Sequence, residues 1–471
     1  MNSYRLSDKV DKNKIFLSRK SEIEKRLDPF YYIPEIVEIE NKVLLKRPQK
    51  LIHYVKSISS GATPKTTEIE KYYSNKENGI PFLRVQNITE EGIILHNCKY
   101  INTETHNGLL KRSQVKGGNL IATITGRIAS ASVAPIGFDG NINQHSVVIQ
   151  TEGFKVSQIL AAFLNSTIGK KLAWRRVTGG TRPALDYPTL LSIPVIYDKQ
   201  ILEITKKAVK KKQTKEKQAK NLLTSIDDYL LGELGIKLPE QDKSLYNRMF
   251  LLNFSSSIVS RWDSFYHQKY FTETTSSFES GKYNFGKLSN VIKTHLIKGR
   301  LPKNEEKEGP CKVIQINSIN SDGTIDIDKL LTSKNIYTKE QKLFQDDILV
   351  VITGATIGKI AFWNLARDYF LGGDIVKFQT KPNANPYYVY NYLLSTPAQI
   401  QIKRNITGAT NGHLAPYDIK NMLIPLPPVE KQNEIAEHIH QIRERAKQLQ
   451  QEAQHELANA KKEVEKMILG E

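Results

Sequence analysis

Short β-branched runs closed by turn residues alternate along this chain with longer stretches of helical period. Residues 83–88, 120–124 and 147–150, and later 313–319, 348–352 and 375–378, are apolar and turn-bounded, so they read as strands. Apolar positions such as Ile159, Ala162 and Phe163 recur at helical spacing and predict a helix over 156–174, with a second over 387–404. Two further stretches are longer. Residues 199–234 carry Ile201, Ile204, Ala208, Leu222, Ile226, Tyr229 and Leu230 among charged neighbours. After Pro428, Ile435, Ile439, Ile442, Ala446, Leu449 and Ala453 follow one another at alternating steps of 4 and 3. Leu457, Ala460, Val464 and Met467 resume that seam after one extra step of 4, a stutter in a coiled-coil repeat.

The pattern is written twice. Arg-Leu-Asp-Pro-Phe-Tyr-Tyr at 26–32 matches Arg-Trp-Asp-Ser-Phe-Tyr-His at 261–267. IPFLRVQNITEEGII (80–94) matches CKVIQINSINSDGTI (311–325), and GGNLIATITGRIASASVAP (117–135) matches QDDILVVITGATIGKIAFW (345–363). VTGGTRPALDYPTLLSIPV (177–195) then matches ITGATNGHLAPYDIKNMLIPLPP (406–428). The matches are collinear, at an offset between about 228 and 235 throughout, so the chain is a tandem duplication. The fold class expected is α+β: two α+β globules joined by two long helices that form an antiparallel coiled coil. The boundaries expected are an N-terminal segment (1–25), a first globule (26–198), a central helix (199–238), a second globule (239–428) and a C-terminal helix (429–471).

Composition adds a partner. The chain has 68 Lys+Arg against 49 Asp+Glu, a net charge of +19, which suits a phosphate-rich ligand. Residues 206–220 alone hold eight lysines and one glutamate, either a solvated face or a phosphate-contacting one. No apolar run approaches the roughly 18 residues of a membrane helix, and the first residues lack an apolar leader, so a cytoplasmic protein is expected. Cys98 and Cys311 stand far apart without ligand-spaced neighbours, which argues against a zinc site or a disulfide framework. TGATIGKI (353–360) has three residues between its glycines and isoleucine after the lysine, so it fails the phosphate-loop pattern. No glycine-rich cofactor turn with an Asn/Asp-Pro-Pro-aromatic segment is present, and neither catalytic residues nor metal ligands are assigned. The chain reads as one that binds and does not catalyse.

Two globules that each close with Thr-Gly-x-Thr, Leu, Ile-Pro-apolar and a long helix resemble the specificity subunit of type I restriction-modification systems. SGATPK (60–65), INQH (142–145), LIPLPPVEKQNEIAEHI (423–439) and the two Arg-x-Asp starts resemble that family's recurrent segments. The second half departs from the first, with HLIKGR (295–300) where the first has SSGATPK, and LGGD (371–374) in place of INQH. The resemblance implies that each globule is a target recognition domain reading one half of a bipartite, asymmetric site in double-stranded DNA. It implies helices that set the spacer and dock two modification (methyltransferase) subunits. Those partners would use S-adenosylmethionine, and a restriction subunit that can join would use ATP and Mg; this chain itself would need no cofactor. A specificity-like subunit of a related restriction or phage-defence methylase, and a DNA enzyme with a divergent active site, stay open as alternatives. For base contacts the candidates are Arg84, Gln86 and Asn87, matched with Gln315, Asn317 and Asn320, because Arg and Gln/Asn can make paired hydrogen bonds to guanine and adenine. Arg127, Arg182, Asn411, Lys359, Lys171, Arg175, Arg176, Lys403 and Arg404 are candidates for phosphate contacts. The repeated Thr178, Gly179, Thr181 and Thr407, Gly408, Thr410 are expected to be structural turns beside DNA.

Overall fold

The computed structural model describes the chain except for residues 1–5, 8, 25, 180, 242–248, 250, 252–260, 262, 294, 409–410 and 471. Trp262 and Thr410 of the repeated motifs therefore lie outside the described residues. The chain divides into two units, one of Met1–Glu216 with Gln450–Glu471 and one of Lys217–Leu449.

The first unit is built on an antiparallel sheet of β1 (Ser57–Ser60), β2 (Leu120–Thr123), β3 (Ala131–Val133) and β4 (Ser146–Gln150) in the order β3-β2-β4-β1. The second has β5 (Ile297–Lys298), β6 (Asp347–Val351), β7 (Ile360–Trp363) and β8 (Ile375–Phe378) in the order β7-β6-β8-β5. The register repeats too: Ser146 faces Thr123 in one unit as Ile375 faces Val351 in the other. The apolar runs are continuous because each sheet is covered on both faces. Leu120, Ala122, Val147 and Ile149 pack toward α2 (Phe154–Asn165) and α3 (Thr167–Arg175), while Ile121 and Val148 pack with Leu83 and Ile88 on the other side. In the second unit Ile348, Val350 and Phe378 join Tyr388 and Tyr392, and Leu349, Val351 and Ile375 join Ile314, Ile319 and Trp363. That other layer is a second sheet, in which Ile80–Leu83 runs parallel to Asp139–Ile142, and Lys307–Ile314 parallel to Tyr369–Leu371.

The helices expected over 156–174 and 387–404 are each broken in two. Ser166 and Ser395 sit between α2 and α3 and between α6 (Pro386–Leu394) and α7 (Thr396–Asn405) with extended ψ of 159° and 157°. Each serine hydroxyl donates back to the helix behind it, to Phe163 O and Tyr392 O at 2.6 Å. Ser166 Oγ also accepts from Gly169 N at 3.0 Å, starting the next helix. Two more equivalent helices, α1 (Pro34–Leu45) and α5 (Lys269–Glu279), pack on α3 and α7, and the sequence patterns had not announced them.

Two long helices, α4 (Lys199–Leu234) and α8 (Val429–Leu469), run antiparallel. In the first unit Lys211 reaches Glu456 at 3.4 Å and Lys215 reaches Glu452 at 3.1 Å, so numbers rise on one helix as they fall on the other. In the second unit Ala219 packs on Ala446 and Leu449, and Lys431 bonds Glu233 at 2.8 Å. Ile435, Ile439, Ala446, Leu449, Ala453, Ala460 and Val464 are buried along the seam as their spacing requires, but its last buried step is Ile468, with Met467 half-buried beside it. Part of the lysine-rich stretch is structural, since Lys212 (15% exposed) pairs with Glu91 of the first globule and with Glu216.

One close approach recurs. A Cβ on Gly61 would stand 1.8 Å from Ile142 O, and one on Gly299 would stand 1.9 Å from Gly372 O. Gly61→Ala must push two backbones apart, and we expect it to cost about 1–3 kcal/mol or more. Urea midpoints of the full chain measure this; an unchanged midpoint would show that the segment yields freely.

Candidate nucleic-acid interface

The two Thr-Gly stretches form the same closed loop. Thr178 and Ala184 exchange both backbone hydrogen bonds at 2.9 Å, and Thr407 and His413 exchange theirs at 2.9 and 2.7 Å. Gly179 (φ 90°) and Gly408 (φ 97°) take left-handed conformations that a side chain resists, and a Cβ there would meet Arg182 O at 2.8 Å or Asn411 O at 2.4 Å. Each loop docks on the end of the central strand, through Leu185 N to Ile124 O (2.9 Å) and Leu414 N to Ile352 O (2.8 Å). Thr178 and Gly179, like Thr407 and Gly408, are thus frame residues, and Thr181, Arg182 and Asn411 stand exposed toward the loop tips.

Next to each loop is a second Thr-Gly turn. Thr125 bridges Ala184 and Thr353 bridges His413. Gly126 (φ 70°) and Gly354 (φ 84°) open these turns, leaving Arg127 and Ala355 exposed. The second turn runs on into strand β7 rather than a helix, so residues 353–360 cannot cradle phosphates as a phosphate loop does. A Cβ on Gly126 would touch Val85 at 3.6 Å, which puts the Arg84–Gln86 element beside this turn.

That element is a 3-10 turn, Val85–Asn87, matched by Ile316–Ser318. Arg84 and Gln315 precede it, half-buried, and donate to Asn97 O and Lys329 O at 3.2 Å. Gln86 and Asn317 are exposed in the middle. Asn87 is 1% exposed; it accepts from Arg84 N at 3.0 Å and donates to Ile94 O at 2.8 Å, so it holds the turn and does not face outward. Its counterpart is Ser318, also buried, and not Asn320, which matches Thr89 and ties its own turn through Thr324 Oγ1 at 2.9 Å. We expect Asn87→Ala to cost about 1–2 kcal/mol, as a lost buried hydrogen-bonding group does, read as a lowered midpoint in chemical denaturation.

The Arg175/Arg176 pair, expected on phosphates, is buried instead. Both guanidiniums close on the Glu40 carboxylate, itself 5% exposed, and Arg175 also donates to Tyr31 O at 2.8 Å with its guanidinium 4.2 Å over the Tyr31 ring. Burial disfavours the Glu40 anion, but hydrogen bonds and charge from Arg176 and then Arg175 outweigh it and hold the carboxyl below its ordinary range. Arg404 repeats the device, donating to Tyr266 O at 3.0 Å and stacking 4.2 Å over Tyr266, with Thr275 where the first unit has Glu40. The Arg-x-Asp starts support it, Arg26 on Asp28 at 2.7 Å and Arg261 on Asp263 at 2.8 Å. Lys171 is tied to Glu35 at 2.5 Å, and Lys359 donates to Ile319 O at 2.8 Å. Lys403 is exposed on α7. Of the phosphate candidates, then, Arg127, Arg182, Lys403 and Asn411 face solvent, and Arg175, Arg176, Arg404, Lys171 and Lys359 are engaged within the fold.

Sequence reasoning missed four residues of this surface. His145 is exposed and its Nδ1 lies 2.7 Å from Thr125 Oγ1, while Gln144 bonds Thr63. Ile124 N donates to His145 O as Ile352 N donates to Asp374 O, both at 2.9 Å, so Asp374 stands where the first unit has histidine. Lys170 anchors the Arg127 turn by donating to Ser130 Oγ at 3.0 Å; burial, with Lys461 and Arg127 nearby, outweighs Glu90 and pushes its ammonium down to about 8. The SGATPK departure also resolves: Gly299-Arg300-Leu301-Pro302-Lys303, and not HLIKGR as a whole, takes the place of Gly61-Ala62-Thr63-Pro64-Lys65. Among the described residues no group of His, Cys, Asp and Glu could hold a metal ion, and no helix is long and apolar enough to cross a membrane.

These paired loops occur on a chain whose residues 281–459 match the family model of the Type I restriction modification DNA specificity domain. The resemblance drawn from the two repeats is thereby supported, and the chain looks like a specificity subunit of that class. It is similar to the EcoBI specificity subunit of Escherichia coli, described as part of a type I restriction enzyme, at 25% identity over 177 residues. That match takes in 36% of this chain and only 37% of the relative's length. Among solved structures, a chain from work on assembly and conformational transition of the type I R-M system has a TM-score of 0.48 at 15% identity, covering 90% of this chain and 96% of its own. The HsdS subunit from Thermoanaerobacter tengcongensis has a TM-score of 0.35 at 16% identity, with coverages of 90% and 95%.

Proposed function

We propose that this chain is the DNA-reading specificity subunit of a type I restriction-modification complex and carries no catalytic residues of its own. The observation that supports the reading best is a single loop frame built twice, with different exposed side chains in each copy. One frame with two sets of readers suits an asymmetric target of two half-sites. Residues 26–198 and 239–428 would be the two target recognition domains, and α4 and α8 would set the spacer and dock two modification subunits. Methyl transfer from S-adenosylmethionine, and any ATP- and Mg-dependent cleavage by restriction subunits, would belong to those partners, in the cytoplasm. The test is methylation of duplex DNA by the chain mixed with modification subunits. Methylation at one asymmetric bipartite sequence, with none by the chain alone, is expected; turnover by the pure chain would overturn the reading.

A net charge of +19 gives a second expectation. Log affinity for duplex should fall linearly with log salt, by about 0.9 per phosphate neutralised. Charge reversal at exposed Lys210 should weaken every sequence alike, whereas reversal at Lys212 should disturb the fold first, because its ammonium is paired with Glu91. Fluorescence anisotropy across a salt series separates the two.

A further inference from the structure

Five aligned positions line the loop surface of each unit, and their chemistry differs in a consistent direction. The alignment rests on backbone geometry: Arg84 and Gln315 precede the same 3-10 turn, and Gln86 and Asn317 sit at its middle. Arg127 and Ala355 follow the left-handed glycines of the Thr-Gly turns. The carbonyls of His145 and Asp374 take the same strand amide, and those of Arg182 and Asn411 close over Gly179 and Gly408. The first unit therefore shows Arg, Gln, Arg, His and Arg where the second shows Gln, Asn, Ala, Asp and Asn. Three guanidiniums in one set have no counterpart in the other. Lys359, the one cation sought on the Thr-Gly turn of the second unit, spends its ammonium on Ile319 O at 2.8 Å.

The donors decide what each set can read. A guanidinium has only donors, in a fork that fits the N7 and O6 acceptors of guanine and cannot satisfy adenine, which offers an acceptor and a donor. A carboxamide carries one of each and fits adenine N7 and N6. Arg127 and Arg182 are exposed at loop tips, and Arg84, half-buried and bonded to Asn97 O at 3.2 Å, precedes Val85, the residue beside the Gly126 turn. In the second unit Asn317 and Asn411 are the exposed pair, and half-buried Asp374, whose carbonyl takes Ile352 N, replaces the histidine of the first unit with an acid.

Resting on the reading of the chain as a DNA specificity subunit, we infer that the two half-sites differ in kind. The half-site met by the first unit depends on guanine, read in the major groove by Arg127 and Arg182 with Arg84. The half-site met by the second unit depends on adenine, read by Asn317 and Asn411 with Gln315.

The experiment selects bound duplexes from a randomised pool with the full chain and its modification subunits, then repeats binding with base analogues. Replacing guanine by 7-deazaguanine removes the N7 acceptor and should weaken binding on the order of tenfold when placed in one half-site only. Replacing adenine by 7-deazaadenine should do so in the other. R127A with R182N should shrink the first effect to what Arg84 alone supplies, and N411R should add a guanine requirement to the second half-site; these three positions are exposed, so the fold is kept. A guanine effect undiminished by R127A with R182N, or an adenine half-site indifferent to N411R, overturns the inference while leaving the specificity reading intact. A pool in which no sequence is enriched overturns both.

Discussion

Replacing Glu40 by alanine should destabilise the first unit by about 3–5 kcal/mol, the usual cost of leaving buried charge without its partner. Glu40 is 5% exposed and pairs with both Arg175 and Arg176, which are each 8% exposed. Truncation would leave both guanidiniums buried without their carboxylate, held only by Tyr31 O, Leu172 O and Ser192 Oγ. Because the folded carboxyl lies below its ordinary value of 4.5, its contribution is present above that value and is lost as pH falls through the lower folded value. The wild-type chain should therefore lose stability on the acid side, and Glu40→Ala should flatten that part of the profile. The second unit suggests a rescue. There Thr275 takes the place of Glu40 and Asn405 that of Arg176, so the carboxylate and one guanidinium are absent together. Glu40→Thr with Arg176→Asn should recover much of the loss, whereas Glu40→Thr alone should not. Urea unfolding followed between pH 3 and pH 8, roughly spanning the carboxylate range, measures all of these. A loss under about 1 kcal/mol for Glu40→Ala would mean that the cluster is not the closed ion pair described.

Exchanging residues 26–194 for the equivalent segment of a relative should rewrite one half of the methylated sequence and leave the other half unchanged. Each unit has its own two-faced sheet, its own docked loop and its own cores, so neither needs the other's side chains to shape its surface. Within the first unit, Arg84→Ala should relax one base position at a cost of about 1–3 kcal/mol if its fork reads guanine. The readout is the methylated motif of each variant in the assembled complex. A swap that altered both halves, or a palindromic native site, would show that the copies do not read separately.

Much of this fold could be read from the chain because duplication doubles every weak signal. The strands at 120–124 and 348–352 are short, yet two collinear copies with the same Thr-Gly exits made each credible, and the long helices declared themselves by heptad spacing. The breaks at Ser166 and Ser395 were not legible, because a serine inside an apolar-periodic run reads as an ordinary helical position until its hydroxyl is seen bonding back. Charge misled at Arg175 and Arg176. Nothing in Trp-Arg-Arg separates a surface pair from one that meets a carboxylate some 135 positions earlier, and Glu40 sits in a short helix that no repeated motif marks. Asn87 misled in the same way, since a polar residue at a strand end can face outward or cap its own turn. Exposed polar residues were legible where the motif itself demanded a loop, as with Arg182 and Asn411.

The loops at 178–184 and 407–413 are closed at their bases by main-chain bonds and left-handed glycines, to which the side chains of Arg182 and Asn411 contribute nothing. Such a loop can be treated as an interchangeable cassette. A library varied only at positions 86, 127 and 182, or at 317, 355 and 411, should keep most of its members folded and spread them over many DNA addresses. Nature and the protein engineer would then face the same economical problem: few letters to change, and a frame that forgives each change.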